Sequence, residues 1–561
     1  MTEASRAAAG NIAQYLSEMA SLQPDRPAVI CAERNRSAQK PVYRQLTFRQ
    51  LDDQSSQLAS GFEAIGIRRG TRTALLAPPS LDFFSITFAL FKVGAAPVLI
   101  DPGIGIRNFS HCLTQAQPEA FVGIPMAHAV RIALGWARLS LKQFVTIGAR
   151  WGWGGLDLNA VRRASSSTLP VRAVTPRPQE TAAILFTSGS TGSPKGAVYT
   201  HEMFDTQVRQ IQTLYGIEPG EIDLATFPLF ALFGPALGMT VVVPDMDPTK
   251  PANADPLKII GAIQQFEVTT MFGSPALIHQ VGLHGEKNGV RLPSLRRVIS
   301  AGAPVPAKTI ARFASLVGVG TQVFTPYGAT ECLPVASIGS DEILRETATM
   351  TNAGAGVCVG KPVPGLDAKI IQIHDGPIPM WTDDLQITKG SIGEIAVKAS
   401  HASSAYFGMP EATALAKIPD PLKGGFYHRM GDLGYFDGLG RLWFCGRKSH
   451  RVVTERGTLF TIPCEAVFNV HPSIFRTALV GVRLGGTTVP VICVELEPSS
   501  KTISKSQVTE ELRKIAASHP HTVDIKTFLF HEAFPVDIRH NAKIFREKLA
   551  IWAEGKLLAA S

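Results

Sequence analysis

Ala183-Ile184-Leu185-Phe186-Thr187-Ser188-Gly189-Ser190-Thr191-Gly192-Ser193-Pro194-Lys195-Gly196-Ala197-Val198-Tyr199-Thr200 is the stretch whose reading decides the fold. Two β-forming runs flank a segment rich in Gly, Ser and Thr, so the pattern predicts strand, loop, strand. Glycines let a ligand approach the backbone and expose N–H groups, the hydroxyls add donors, and Lys195 supplies a point charge. Thr187, Ser188, Gly189, Ser190, Thr191, Gly192 and Lys195 together suit a polyphosphate. The plain alternative is a flexible Ser/Gly linker, but linkers rarely lie between two β-type runs or end in Pro-Lys-Gly. The spacing does not fit GxxxxGK[ST], and no GxSxG is present, which argues against a P-loop and a hydrolase elbow.

Outward from the loop, short apolar runs at 73–76 and 96–100 alternate with helical segments such as 83–91. This is the pattern of a parallel sheet covered by helices. Ile12, Tyr15, Leu16 and Met19 recur at helical spacing, and Thr47 precedes a helix that carries Leu51, Leu58, Phe62 and Ile65 on one face. The 561 residues exceed the ~250–300 at which a single core stops growing, so at least two domains are expected. Residues 434–441 read as a turn-rich connection, followed by 442–445 and the charged Gly446-Arg447-Lys448-Ser449-His450-Arg451. Beyond it, 478–482 and 489–496 read as strands, while Val508, Leu512, Ile515 and Ala516 mark an amphipathic helix. The expectation is an α/β protein with a large multi-sheet N-terminal domain, residues 1–445, and a small mobile α/β C-terminal domain, residues 446–561, hinged at 446–449.

Composition narrows the class. Hydrophobic residues make up 45% and charged ones 18%, too apolar for a disordered chain. Lys plus Arg number 55 against 46 Asp plus Glu, a net +9, which favours an anionic ligand or surface without implying nucleic acid. The seven cysteines form no CxxC pair and predict a reducing, cytoplasmic setting. His519 and His521 lack the further ligands that zinc needs. The first ten residues carry acids and no apolar core, so no signal peptide is expected. Residues 225–244 contain no charge over about the length of a membrane span. Pro228, Gly234, Pro235, Gly238 and Pro244 break any helix there, so the segment reads as buried wall. Phe227, Leu229, Phe230, Leu232, Phe233, Gly234 and Met239 are too apolar for a polar nucleotide pocket and are expected to line an apolar tunnel, which the resemblance described below makes the acyl tunnel.

Further stretches follow the loop in order: Ser300-Ala301-Gly302-Ala303-Pro304, Tyr327-Gly328-Ala329-Thr330-Glu331, Tyr427-His428-Arg429-Met430-Gly431-Asp432, Gly446-Arg447 and Asn541-Ala542-Lys543-Ile544. With them the sequence closely resembles, over nearly its whole length, the adenylate-forming superfamily of acyl-CoA synthetases, luciferases and peptide-synthetase adenylation domains. The resemblance implies ATP and Mg²⁺ as cofactors. It places Gly302, Ala303 and Pro304 beside the adenine, with Tyr327, Gly328 and Ala329 in the same nucleotide site and Tyr327 as a stacking wall. It implies that Thr330 and Glu331 hold the α-phosphate and the metal, that Asp432 and Arg447 reach the ribose, and that Lys543 is the catalytic lysine. Taken singly, Asp432 is an ordinary turn acid, Glu331 a solvated charge and Lys543 a surface lysine. Motif order sets them apart. A carboxylate is a good acceptor for two ribose hydroxyls, and hard oxygen ligands suit Mg²⁺. His201 and His428 fit structural and catalytic roles equally.

The second half-reaction is less uniform. Where many relatives place His near the acyl site stands Ala231, Ser449 replaces the usual Asp or Lys of the hinge, and residues 452–465 contain the unusual run Thr454-Glu455-Arg456-Gly457-Thr458. Ile462-Pro463-Cys464-Glu465-Ala466-Val467-Phe468 and the run from Phe534 to Lys543 resemble the β-lactone synthetases of bacterial long-chain olefin biosynthesis. That resemblance implies adenylation of a long-chain 2-alkyl-3-hydroxy fatty acid, attack by its own 3-hydroxyl, and other enzymes of the same pathway as partners. Peripheral membrane contact is compatible with it, a membrane span is not expected. The alternatives are a medium- or long-chain fatty acyl-CoA synthetase and, in a different class, a nucleotide- or acyl-binding protein with weak catalysis.

Overall fold

The structure, a computed structural model, describes residues 10–33, 41–165, 173–187, 193–500, 503–536 and 544–559. The hairpin that carries the Gly/Ser-rich loop lies on the edge of one sheet. Among the described residues this sheet runs Leu156–Asp157, Gln143–Thr146, Ala120–Gly123, Arg72–Leu76, Ala96–Leu99, Thr181–Thr187, Lys195–Thr200. The last pair is antiparallel, with Thr187 opposite Lys195, and the others are parallel. Ala74, Val98, Phe121, Val122 and Ile184 are fully buried, because a parallel sheet is covered on both faces and its strands read as continuous apolar runs. Helix Leu81–Lys92 covers it, started by Ser80, whose side chain accepts from the Phe83 N–H. Helix Phe48–Ala64 begins at a capping box of Thr47 and Gln50.

A second, longer sheet has two halves. Its parallel half runs Pro27–Glu33, Thr240–Val243, Ile222–Ala225, Thr270–Gly273, Arg297–Ser300, Gln322–Ala329. Its antiparallel half continues through Cys332–Gly339, Val357–Pro362, Leu442–Arg447, Phe426–Phe436, Gly393–Lys398 and Asp367–Ile371. Ligand crevices in α/β proteins form at the carboxyl ends of such parallel strands. Ser300 and the Tyr327 motif lie at two neighbouring ends.

Toward the C-terminus a separate sheet of Ile474–Leu484, Thr487–Leu496 and Thr527–Phe530 has its own cores. Leu479, Ile492, Val508, Leu512 and Phe528 pack on one face, and Val480, Val491, Cys493, Leu549 and Ala553 on the other. The fold is α/β throughout.

Two local readings change. Residues 434–436 are the end of strand Phe426–Phe436, and the turn begins only at Asp437. Gly434 is there for close approach, since a β-carbon would stand 2.3 Å from the Trp443 carbonyl oxygen across the hairpin. The charge-free segment is broken into helices Pro228–Ala231 and Phe233–Ala236 before strand Thr240–Val243. Among the described residues no helix is long and apolar enough to cross a membrane. All seven cysteines are buried and unpaired.

Candidate active site

A cleft of about 1830 Å³ opens between the carboxyl ends of the parallel strands and the C-terminal sheet. Gly302, Ala303, Pro304, Tyr327, Gly328, Asp432 and Arg447 all line it, so residues far apart in sequence meet there. The hairpin Phe426–Phe436/Leu442–Arg447 sets Asp432 directly across from Arg447. The Arg447 guanidinium lies 2.9 Å from Asp432 Oδ1, and the Tyr327 hydroxyl donates to Asp432 Oδ2 at 2.6 Å. Asp432 is buried, and its negative charge is the main reason the Arg447 pKa rises. Burial, then the Asp432 charge, push the Tyr327 phenol well above its ordinary range. Both groups stay protonated as donors. The Tyr327 ring lies 5.9 Å from that of Phe444, and the two give the cleft an aromatic side.

The tight turn after Gln322–Ala329 carries Thr330 and Glu331. The Thr330 carbonyl accepts from the Tyr199 hydroxyl at 2.6 Å, and Glu331 Oε1 accepts from the Tyr406 hydroxyl at 2.6 Å. Lys195 Nζ stands 5.0 Å from the centre of the Tyr406 ring. The hairpin strand Lys195–Thr200 is tied to that segment by the Ala197–Tyr406 bridge and by Phe407 N–H donating to the Gly196 carbonyl at 2.8 Å. Lys195 and Glu331, far apart in the chain, are thereby brought to one phenol ring. Among the described residues Glu331 Oε2 has no protein donor, and no group of three or more His, Cys, Asp or Glu side chains gathers as a metal site. A carboxylate oxygen is a hard donor of the kind that Mg²⁺ takes, so the residue fits that ion.

The apolar residues divide. Phe227, Phe230 and Phe272 form an aromatic cluster with ring separations of 5.7, 6.4 and 4.4 Å, the closest being the stacked Phe230–Phe272 pair. Leu232 and Met239 are buried in the core beneath the N-terminal helices, and Phe233 packs against it. Gly234 faces that core too, where a β-carbon would stand 2.1 Å from Val241 Cγ2. The structure does not bring these four to one wall with the aromatic cluster.

Ser188, Gly189, Ser190, Thr191, Gly192 and Lys543 lie outside the described residues, as do the side chains of Thr187 and Leu229. Ile544, which follows Lys543, lines the cleft. Two buried polar groupings carried no local sequence signal. One is Lys417 with His428 and Tyr406, and the other is the Glu465–Arg546 ion pair at 2.7 Å, whose partners both line the cleft. His201 is buried with neither ring nitrogen partnered among the described residues, and burial pulls its pKa down to about 4.

An aromatic-sided cleft holding a carboxylate–guanidinium pair is the chemistry of a nucleotide-binding enzyme. The chain belongs to the AMP-binding enzyme family, which matches residues 16–407. It is 50% identical over 552 residues, 98% of each chain, to the olefin beta-lactone synthetase of Stenotrophomonas maltophilia. It is 48% identical over 547 residues, 97% of each chain, to the olefin beta-lactone synthetase of Xanthomonas campestris pv. campestris. Among solved structures, the amide bond synthetase McbA from Marinactinospora thermotolerans superposes with a TM-score of 0.77 at 22% identity, covering 96% of this chain and 99% of that one. That likeness is one of fold.

Proposed function

We propose that this protein is an AMP-forming ligase that activates a long-chain 2-alkyl-3-hydroxy fatty acid with ATP and closes it to a β-lactone. The observation that carries the reading is the 50% identity, over 98% of both chains, to the olefin beta-lactone synthetase of Stenotrophomonas maltophilia. The geometry supports the activation half. Asp432, held between Tyr327 and Arg447, accepts the ribose hydroxyls. Lys195 and the Gly/Ser-rich loop take the phosphates, and Thr330 and Lys543 flank the α-phosphate. Mg²⁺ at Glu331 would add positive charge where phosphate charge gathers.

In the first step a carboxylate oxygen bonds to the α-phosphorus as the bond to pyrophosphate breaks. Like charges meet there, so Lys543 must neutralise both partners and align them. In the second the substrate's 3-hydroxyl oxygen bonds to the acyl carbon, its proton is lost to a base, and AMP leaves with the electron pair of the broken C–O bond. The nucleophile is already tethered, so effective molarity replaces a second substrate. We assign the alkyl chains to Phe227, Phe230 and Phe272, whose clustered rings gather apolar surface.

Residues 1–445 form the adenylation domain and residues 446–561 a mobile domain that delivers Lys543, turning about 446–449. The separate cores of the C-terminal sheet and the φ of +125° at Gly446 support that division. Seven unpaired cysteines support a cytoplasmic setting, and enzymes that supply the hydroxy acid or consume the lactone are the expected partners.

Mass spectrometry of products from a synthetic 2-alkyl-3-hydroxy acid with ATP tests the reading. The expected product is the acid less one water, with AMP and pyrophosphate. The matching acid without the 3-hydroxyl should stall as acyl-adenylate, and CoA should not rescue it. Thioester formed from that deoxy acid as fast as the hydroxy acid reacts would replace this reading with an acyl-CoA synthetase.

A further inference from the structure

Lys417 is a buried cation whose direct partners are neutral. It is 6% exposed and sits opposite His428 where strand Lys417–Pro419 pairs with Phe426–Phe436. Its ammonium donates to the Ser403 carbonyl and to His428 Nδ1, the latter at 3.0 Å. It also lies 5.9 Å from the centre of the Tyr406 ring and 5.0 Å from that of Phe426. Among the described residues no carboxylate is hydrogen-bonded or ion-paired to it. Buried ammoniums are ordinarily paired, because an uncompensated charge away from water is costly.

What balances Lys417 lies one side chain further on. The Tyr406 hydroxyl donates to Glu331 Oε1 at 2.6 Å, and the Ser403 N–H donates to the Glu331 carbonyl at 2.7 Å. Both groups that Lys417 touches on that segment therefore hold Glu331. Lys195 approaches the same Tyr406 ring to 5.0 Å, so two ammoniums share one phenol. Burial lowers the Lys417 pKa to about 8, and the charge of Glu331 is the strongest influence opposing that fall. His428 is driven well below its ordinary value by burial, then by Lys417. It is neutral, and its Nδ1 stands between the Lys417 ammonium at 3.0 Å and the Ala416 carbonyl at 3.2 Å.

We propose that Lys417 is a positioning residue for the polyphosphate end of the nucleotide: through Tyr406 and Ser403 it fixes Glu331, and its charge behind that ring favours ATP over AMP. This rests on the adenylating reading above. Lys417 touches no nucleotide itself. A structural role alone would serve both nucleotides equally, whereas a fixed charge discriminates by the number of phosphates it faces.

Calorimetric binding of ATP and of AMP to the full chain, wild type and Lys417→Met, separates the two. The ATP Kd should rise about tenfold, the size expected of one unit charge about 10 Å away at an effective dielectric of about 20. AMP should change by less than about threefold, since it lacks the β- and γ-phosphates that this charge faces and its own phosphate lies further away. Lys417→Arg, which keeps the charge, should restore preference for ATP. Equal weakening of both nucleotides, or no change in either, overturns the proposal. If Lys417→Met does not fold, Tyr406→Phe decides: it keeps the ring and removes only the bond to Glu331, and it too should weaken ATP while sparing AMP. Wild-type protein that binds no ATP would sink the adenylating reading itself, while ATP binding by wild type that Lys417→Met and Tyr406→Phe leave intact sinks this inference alone.

Discussion

Replacing Arg546 by Met removes most of what holds one buried carboxylate. Glu465 receives Arg546 Nη2 at 2.7 and 2.8 Å, Arg546 Nε at 3.2 Å and the Leu479 N–H at 2.9 Å. The side chains are 6% and 14% exposed, so water replaces the guanidinium poorly. Arg546→Met leaves the carboxylate a single donor. If it stays ionised, breaking such a pair costs about 3–5 kcal/mol. If it takes up a proton instead, protonating an ordinary glutamate at pH 7 costs on the order of 3 kcal/mol. Both routes give about 3 kcal/mol, and burial already pushes the Glu465 pKa upward, which favours the second. The variant's Glu465 then has a folded pKa above its unfolded one, so the lost stability should return as pH falls toward 5 and be absent at pH 8. Native-state hydrogen exchange of amides in Ile474–Leu484 and Arg546–Leu558 reads this without assuming that the whole chain unfolds as one unit. Glu465→Met with Arg546→Met should recover most of the loss, since a well-packed apolar pair replaces a buried ion pair at little cost. Unchanged exchange in Arg546→Met, or a double variant no better than the single, would refute the reasoning.

Three other outcomes are expected. Asp432→Ala should weaken AMP by at least on the order of a hundredfold, because two ribose hydrogen bonds to a charged acceptor contribute about 1.5–3 kcal/mol each. A 2′,3′-dideoxy nucleotide should bind variant and wild type alike, and a full-strength AMP titration with the variant would remove Asp432 from the site. Phe230→Ala opens the stack on Phe272 and should shift preference toward bulkier alkyl chains, with Phe230→Trp moving it the other way. An unchanged chain-length profile in both would place the acyl wall elsewhere. His201, with a pKa near 4 when folded against about 6.5 unfolded, contributes stability that is complete above pH 6.5 and lost on acidification toward 4. The loss is on the order of 3 kcal/mol, so melting temperature against pH should be flatter in His201→Phe, and parallel curves would count against it.

The parts of the site that were legible in sequence are those carried by local signals. Thr187 to Gly196 announced a hairpin because loop formers stood between two strand-forming runs, and the strands Thr181–Thr187 and Lys195–Thr200 follow. Helix Phe48–Ala64 was legible from its cap and periodicity. Asp432 and Arg447 were assigned to the ribose by motif, but nothing local could say that they face each other, which follows from the register of the hairpin. The turn expected at 434–436 was misread because glycine marks both chain reversal and close packing, and only the facing Trp443 backbone distinguishes them. The apolar segment was read as one wall, yet two short helices send Phe227 and Phe230 toward Phe272 and Leu232 and Met239 into the core. Composition fixes that such residues are buried and says nothing about which of two cavities or cores receives them.

The polar groupings that sequence did not announce share one physical feature, that their partners are distant in the chain. Glu465 and Arg546 are separated by 81 positions, and Tyr406 meets Glu331 across 75. Each residue taken alone is a common surface type, and burial is what converts it into a constraint. An ionisable group kept from water must be answered by a donor, an acceptor or an opposite charge, and the fold has to bring that answer from elsewhere. In this protein two such answers line the cleft, Asp432 between Tyr327 and Arg447 and Glu465 against Arg546, and a third holds Glu331 under Tyr406. The apolar pattern builds the sheets, and these buried pairs fix how the strand ends and the C-terminal segment face one another. A substitution at Asp432 or Glu331 should therefore disturb nucleotide handling before it disturbs the sheets, whereas one at Glu465 or Arg546 acts first on the C-terminal sheet that the pair ties down.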